Sequence, residues 1–515
     1  ILAQGPPRSG APAQATRGGV RGQRYGAGAQ GVDARFFQMW WCPCFPIGAD
    51  EDLGVQGGSG GSDTSLEVDP KAAAVVVAFG RDADVSAMLH ELDTAVDSEK
   101  VRLTQLDGMH ADLNSYSILS GIFLSKKKLL VERSVRVKVL DRVMGSMCGM
   151  AVGDALGHPF EFISVNDVPG SSRFDLKTMT FEGEFNKFKL ERGQWTDDAA
   201  MGLCMADSLI MRRRFDGSDM RVRFWCWWYR GYNNAFRKDD VRESKNSVGL
   251  GGNVEKSLKE MYGIYEVKGG VPPTFEAETE DAGNGSLMRF APLSIFFHAA
   301  PLPVLYRIAR LSSYTTHPGV HAAEACALLA HLLSRAISRP PDLADARSFL
   351  DTATEEYLRD SGLAARSGPG YDEVKQLVSS APVNDTERCW NWKSESLEIE
   401  FSLRARGFEY NGYPVSASYH GAYSLDGLAC ALWAVYHTRS FDEAVTRSVN
   451  LCGDADSHGS ITGQLAGALY GYSTINPQFI EWLTRWDDHE FAARALLLYH
   501  LGAEAAASGE LEAAV

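Results

Sequence analysis

Apolar positions recur at helical spacing over most of this chain. Val85, Met88, Leu89, Leu92, Ala95 and Val96 predict a helix within Asp84–Met109. Ile118–Val131 and Val135–Leu140 continue a helical, basic-flanked region, while Lys71–Gly80 fits either a short strand or a buried helical turn. From Val139 the pattern strengthens, with Val143, Met147, Met150 and Ala151 on one helix. Met201, Met205 and Leu209 mark a second helix after Thr196, and His321–Ile337 a third, rich in Ala and Leu. Arg221–Asn234 is aromatic-rich and reads as helix packing, with a base-stacking surface as the secondary reading. Val248–Asn253 and Val267–Asp281 read as loops, and Pro340–Asn391 as a polar periphery with two or three helices. Ser416–Thr438 is expected to be a central apolar helix and Phe441–Leu451 another; Trp482–Gly502 adds terminal helices before a frayed tail, Ala503–Val515.

Two stretches carry glycine at every fourth position: Gly145, Gly149, Gly153, Gly157, and Gly459, Gly463, Gly467, Gly471. Each glycine weakens a helix by roughly 1 kcal/mol relative to alanine. A repeated penalty on one helix face implies close approach of another backbone. Each stripe then allows tight packing, and one stripe against the other is one arrangement that satisfies both.

The chain has 515 residues, 45% hydrophobic and 23% charged, ordinary for a globular protein with a large core. The net charge of −15 argues against a generic binder of nucleic acid or anionic membrane. No apolar run of about 18 residues stands out, so no membrane span is expected. The nine cysteines lack framework spacing and read as reduced, intracellular thiols, with the cytoplasm the expected compartment. Cys42 and Cys44 are the only close pair, too few ligands for a zinc site. Residues 1–70 are rich in Gly, Ala and Arg and cannot build a core, so they are expected to be a disordered leader. An Arg-rich, acid-poor start also fits an organelle transit peptide, though the amphipathic Ser-rich pattern is missing. The chain opens on Ile1 rather than Met, which reads as the start of a fragment. The expected division is a leader (1–70), a helical extension (71–137), a main domain (138–505) and a tail (506–515).

Candidate chemistry lies in oxygen-rich helix starts. Thr196, Asp197 and Asp198 precede one apolar helix, and Asp454, Asp456 and Ser457 open another. Helix capping explains one such side chain, and first-turn acids suit the helix dipole. Capping does not explain three consecutive oxygen donors, nor their recurrence. Clustered carboxylates repel and are costly to bury, and a hard divalent cation resolves both problems. Glu161, after Pro159 in a turn or new segment, is a further candidate; Asp154 sits near the end of its helix. No His or Cys is interleaved, so the set points to Mg²⁺, Mn²⁺ or Ca²⁺ rather than zinc or copper. Five carboxylates exceed the charge of one divalent ion, which suggests two ions about 3.5–4 Å apart. Gly283–Phe290 (GNGSLMRF) offers backbone N–H groups at Gly283 and Gly285, side-chain donors at Asn284 and Ser286, and the cation of Arg289. It reads as a phosphate or ribose cradle or as an ordinary Asn-Gly turn. His317, in a Thr-His-Pro turn, is either a helix-start packing residue or a ligand contact.

In order, GxxxGxAxGDALGxPxEF, G-x-W-T-D-D, GNGSLMR-x-APL, S-x-x-THP and GDADS–helix closely resemble the ADP-ribosylglycohydrolase family, which includes the dinitrogenase-reductase-activating glycohydrolases. The resemblance spans about Val139–Trp486. It implies an all-α, compact orthogonal multi-helix bundle with a binuclear Mg²⁺ or Mn²⁺ site at the base of a cleft. By motif, Thr196, Asp197, Asp198, Asp454, Asp456 and Ser457 would be metal ligands, and Glu161 the mobile acid beside them. Glu161, Asp197 and Asp454 are the catalytic candidates. Gly283, Asn284, Gly285, Ser286, Arg289 and His317 match positions that contact ADP-ribose. The implied partner is an ADP-ribosylated protein or small conjugate, handled by a monomer. Ser457 stands where the family usually has Thr, and His458 and Gly459 also depart from it. The rival readings are a non-catalytic ADP-ribose-binding or crystallin-like relative, and an unrelated Mg²⁺-dependent phosphohydrolase.

Overall fold

A computed structural model describes residues 83–96, 113–165, 173–264, 270–277, 282–340, 345–411, 413–415 and 418–513. The chain divides into Ile1–Val68 and Asp69–Val515, and every described residue falls in the second unit. The leader, the Lys71–Gly80 segment, the Cys42–Cys44 pair and the end of the Asp84–Met109 helix lie outside the described residues.

The fold is all-α. Its helices run α1 (Ala83–Ala95), α2 (Leu124–Ser134), α3 (Lys138–Gly157), α4 (Asp197–Arg212), α5 (Gly217–Arg230) and α6 (Gly252–Ile264). They continue as α7 (Ala291–Phe296), α8 (Leu302–Ser313), α9 (Val320–Ser338), α10 (Ala346–Asp360), α11 (Tyr371–Ser379) and α12 (Ile399–Arg406). The last are α13 (Ser424–Tyr436), α14 (Phe441–Val449), α15 (Ala455–Tyr470), α16 (Pro477–Asp487), α17 (Glu490–Ala507) and α18 (Glu510–Ala513). Two small antiparallel hairpins interrupt them, pairing β1 (Arg173–Asp175) with β2 (Thr180–Glu182) and β3 (Glu409–Tyr410) with β4 (Tyr413–Pro414).

The glycine stripes meet each other. A Cβ on Gly149 would lie 2.2 Å from the Gly463 carbonyl, and one on Gly463 only 1.9 Å from the Gly149 carbonyl. Gly153 faces Gly459 and Gly145 faces Gly467 in the same way. Numbers rise along one helix as they fall along the other, so α3 and α15 are antiparallel. Gly157 meets Ala455, and Gly471 lies beyond the end of α15 at φ +94°. The register therefore brings the last turn of α3, with Asp154, against the first turn of α15, with Asp456.

Several boundaries differ from the expected ones. The apolar run at Ser416–Thr438 becomes helical only at Ser424, and residues 418–423 form a strap instead. The tail does not fray at Ala503: α17 reaches Ala507, and Leu511 of α18 is buried. Helix α8, strongly amphipathic, was not among the expected elements. Helix α9 has the length and mean hydropathy of a membrane span, yet it lies buried in the domain. Its Glu324 accepts hydrogen bonds from Arg310 at 2.7 Å and Arg366 at 2.6 Å.

Candidate active site

Glu161, Asp454 and Asp456 bring carboxylate oxygens within 4.8 Å of one another, all three side chains buried. Each comes from a different local device. A 3-10 turn, His158–Phe160, carries the chain off α3 and ends at Glu161. Asp454 stands at the N-cap of α15, where its side chain makes no cap bond. Its oxygens instead accept from Asn284 Nδ2 at 2.6 Å and the Tyr419 hydroxyl at 2.9 Å. Asp456, in the first turn, accepts from the Ser457 N–H at 2.9 Å.

Thr196, Asp197 and Asp198 open α4, and the capping expectation there is only half met. Thr196 occupies the N-cap, but its hydroxyl does not cap the helix. It donates to Asp154 Oδ1 at 2.9 Å. Asp154 also accepts from the Thr196 N–H and, at 3.0 Å, from the Ala199 N–H. A carboxylate from α3 thus caps α4 from outside and sets the attitude of its first turn. In the sequence Asp154 stands only as a residue near the end of its helix, with nothing local to mark this role. Gly249 is equally unmarked there: at φ +90°, a Cβ on it would sit 2.1 Å from Asp197 Oδ1.

Asp197 and Asp198 feel the fields of Asp154, Asp454 and Asp456, so the two acid-bearing helix starts share one site. Burial, then repulsion among these acids, pushes Glu161, Asp197 and Asp198 well above the usual carboxylate range. Burial raises Asp154 and Asp454 to about 7 and Asp456 to about 6, in part offset by their hydrogen bonds. Among the described residues, no Lys, Arg or His forms an ion pair with any of these six acids. Asp198 Oδ1 and Glu161 Oε2 are buried without a hydrogen-bond partner. A donor set of crowded, hard, uncompensated oxygens fits divalent cations. Ser457 Oγ points toward Met288 Sδ, 3.6 Å away, and the Thr196 hydroxyl is shared between Asp154 and Asp198.

The GNGS segment forms a 3-10 turn beside these acids. Asn284 joins the two regions, donating to Asp454 and to the Gly421 carbonyl. Gly283 and Gly285 give room to His317, whose ring atoms would lie 3.3 and 2.8 Å from a Cβ at those positions. Burial lowers His317 to about 3, so its ring is neutral, and Nδ1 is 2.8 Å from Thr316 Oγ1. Arg289 is placed differently from the sequence expectation of a ligand-facing cation. It is fully buried behind the turn, donating to Thr315 and Thr316 Oγ1 at 3.2 and 2.7 Å, with its guanidinium 4.4 Å from the Phe224 ring centre. Ser286 also faces inward, accepting from Ser313 at 2.9 Å.

The family profile described as ADP-ribosylglycohydrolase matches residues 136–506. An ADP-ribosylarginine hydrolase, Tri1, of Pseudomonas putida is 28% identical over 71% of this chain and 81% of its own length. The ADP-ribosyl-[dinitrogen reductase] glycohydrolase of Rhodospirillum rubrum is 26% identical, covering 68% of this chain and 91% of that protein. A solved structure of an ADP-ribosylglycohydrolase-related protein complex matches with a TM-score of 0.50 at 28% identity, over 71% of this chain and 99% of that one. With the all-α scaffold and its buried acid cluster, these similarities define a glycosidic-bond hydrolase. The chain belongs to the ADP-ribosylglycohydrolase family.

Proposed function

We propose that this protein removes ADP-ribose from an ADP-ribosylated protein or small conjugate by hydrolysing the glycosidic bond at ribose C1″. The observation that carries this reading is the gathering of Glu161, Asp454 and Asp456 within 4.8 Å, in a pocket of acids to which no cationic side chain among the described residues is paired. Relatives named as ADP-ribosylarginine hydrolases and as the ADP-ribosylhydrolase ARH3 of Danio rerio support the substrate class. Thr196, Asp197, Asp198, Asp454, Asp456 and Ser457 would hold two Mg²⁺ or Mn²⁺ ions. Such ions supply Lewis acidity and lower the pKa of a bound water.

The chain's own groups do the rest. Glu161, or an Asp of the cluster, orients the attacking water and takes its proton. The water oxygen bonds to C1″ as the C1″–N or C1″–O bond breaks; the bonding pair leaves with that nitrogen or oxygen, which takes up a proton equivalent to the one lost by the water. Positive charge developing at C1″ faces carboxylates, which stabilise an oxocarbenium-like state. The Gly283–Ser286 turn, backed by His317 and Arg289, positions the rest of the ADP-ribosyl group.

The test is release of free ADP-ribose from arginine- and serine-linked ADP-ribosyl peptides, with Mg²⁺, with Mn²⁺ and with a chelator. Turnover with metal, its loss on chelation, and its loss in Asp454→Ala and Asp456→Ala are the expected results. Undiminished turnover in chelator contradicts the metal assignment. Binding of ADP-ribose without turnover of either peptide favours the non-catalytic alternative, and phosphate release from nucleotides the phosphohydrolase.

A further inference from the structure

The strap at residues 418–423 borders the site, and the apolar pattern did not announce it. It bonds to the segment that follows Glu161, to Asp454 and to the GNGS turn. The Ser418 carbonyl accepts from the Val165 N–H at 2.7 Å, and the His420 carbonyl from the Asp454 N–H at 2.8 Å. The Ala422 carbonyl accepts from the Asn284 N–H at 2.9 Å, and the Ser424 N–H donates to the Ala282 carbonyl at 2.8 Å. Its anchor is a buried cluster of Cys389, His420 and Asp426, whose potential ligand atoms lie within 4.8 Å. That cluster already holds a cation. Arg406 donates to both Asp426 oxygens, at 2.6 and 2.9 Å, and Trp390 Nε1 donates at 2.7 Å. A metal ion there would meet the guanidinium, so the cluster serves as an anchor.

One side chain of the strap reaches the acids. The Tyr419 hydroxyl donates to Asp454 Oδ1 at 2.9 Å, while Asn284 donates to the other oxygen, Oδ2. Two donors on opposite oxygens fix the plane of the Asp454 carboxylate. The Tyr419 ring stacks on Phe162, centroids 6.0 Å apart and planes 15° apart. Phe162 follows Glu161 directly and has φ +68°, a left-handed conformation unusual for a bulky residue. The Phe162 N–H donates to the Gly453 carbonyl at 3.0 Å, and the Gly453 N–H to the Ile163 carbonyl at 2.9 Å. The Lys187 ammonium also lies over the Phe162 ring, 3.7 Å from its centre.

We propose that Tyr419 is a positioning residue that holds Asp454 and Glu161 in register, through its hydroxyl on one acid and its ring on the neighbour of the other. The inference rests on the hydrolase reading given above. Tyr419→Phe keeps the ring and removes the hydroxyl; Phe162→Leu keeps the hydroxyl and removes the stack. The full chain carrying each change, and both, is assayed for kcat and KM on an arginine-linked ADP-ribosyl peptide. The affinity for Mn²⁺ alone is read by electron paramagnetic resonance, and the unfolding midpoint by circular dichroism. Loss of a group that orients a ligand carboxylate costs about 10–100-fold in activity or metal affinity. Tyr419→Phe is expected to lower kcat and Mn²⁺ affinity by that factor, with KM and the unfolding midpoint little changed. The double variant should fall short of the product of the singles, since both act on one geometry. Tyr436→Phe, which removes a hydroxyl remote from the acids, should leave all readouts at wild-type values. Wild-type kcat and Mn²⁺ affinity in Tyr419→Phe overturn the proposal, as does a loss that tracks a lowered unfolding midpoint. If the wild-type chain releases no ADP-ribose, the hydrolase reading fails. The Mn²⁺ comparison still decides the role of Tyr419, and equal affinities, or none, overturn it.

Discussion

Asp154 shows how much a single buried carboxylate can organise. It accepts from the Thr196 N–H and hydroxyl and from the Ala199 N–H, and so sets the first turn of α4. Asp154→Asn keeps the size and replaces one oxygen with an NH₂ group. That group then faces an N–H or O–H donor, and a buried donor is left without its acceptor. The expected result is a fall of about 10–100-fold in ADP-ribose release and a stability loss of about 1–2 kcal/mol. Peptide turnover and denaturant unfolding check the two effects, and wild-type values in both contradict this role. Asp197, Asp198, Asp454 and Asp456 were legible because acids bunched at a helix start exceed what capping needs. Asp154 was not, because a lone Asp inside GDALG looks like an ordinary last-turn residue. Tyr419 and Gly249 were hidden for a different reason. Each acts across more than thirty residues of sequence, and nothing local marks them.

At the scale of elements, the α3–α15 pair sets the distance between the acid-bearing turns. Gly463→Ala is a direct probe of it. Helix propensity alone favours alanine by roughly 1 kcal/mol. The new methyl would sit 1.9 Å from the Gly149 carbonyl oxygen, part of a helix backbone that cannot swing aside. Overpacking of this kind costs about 1–3 kcal/mol or more, so the clash wins. The variant should be destabilised in denaturant unfolding and lose activity beyond its unfolded fraction, because separated helices move Asp456 from Asp154. A variant as stable as wild type would show the stripe to be slack. The four-residue period was plain in the sequence, and the need for a close neighbour followed from it. Which helix faces which was open, since either stripe could have met another backbone. The strap illustrates the opposite limit. Residues 418–423 continue an apolar, helix-like pattern, yet Gly421 adopts φ +105° and the segment pairs with the GNGS turn instead. Tertiary hydrogen bonds overrode the local pattern there.

Across the whole molecule, a second charged network ties residues before the family region into the domain. Lys127 of α2 is buried and pairs with Glu490 at 2.9 Å; Glu490 also accepts from Arg237 at 3.0 Å and Arg494 at 2.9 Å. Arg494 pairs in turn with Asp207 near the end of α4 at 2.6 Å. The Arg494, Arg237 and Lys127 charges outweigh burial and hold Glu490 well below the usual carboxylate range. The unfolded chain binds a proton at Glu490 near the ordinary value of about 4.3, whereas the folded chain resists it. This stabilisation is thus present above about pH 4.3 and is lost as pH falls toward the folded value. Lys127→Met keeps the apolar stem and removes one of the three cations. It should cost about 2 kcal/mol near neutral pH, less than a fully broken buried pair because two arginines remain. Glu490 should also titrate at higher pH in the folded variant, so its share of the acid-induced loss begins at the same pH but is smaller and complete sooner. As pH falls further and Glu490 is protonated in both proteins, the difference between them should narrow. Denaturant unfolding of the full chain from pH 7 down to the acid limit measures both features. A stability difference that stays constant with pH would mean that the methionine merely packs badly, and that the charge of Lys127 does not bind α2 to the domain.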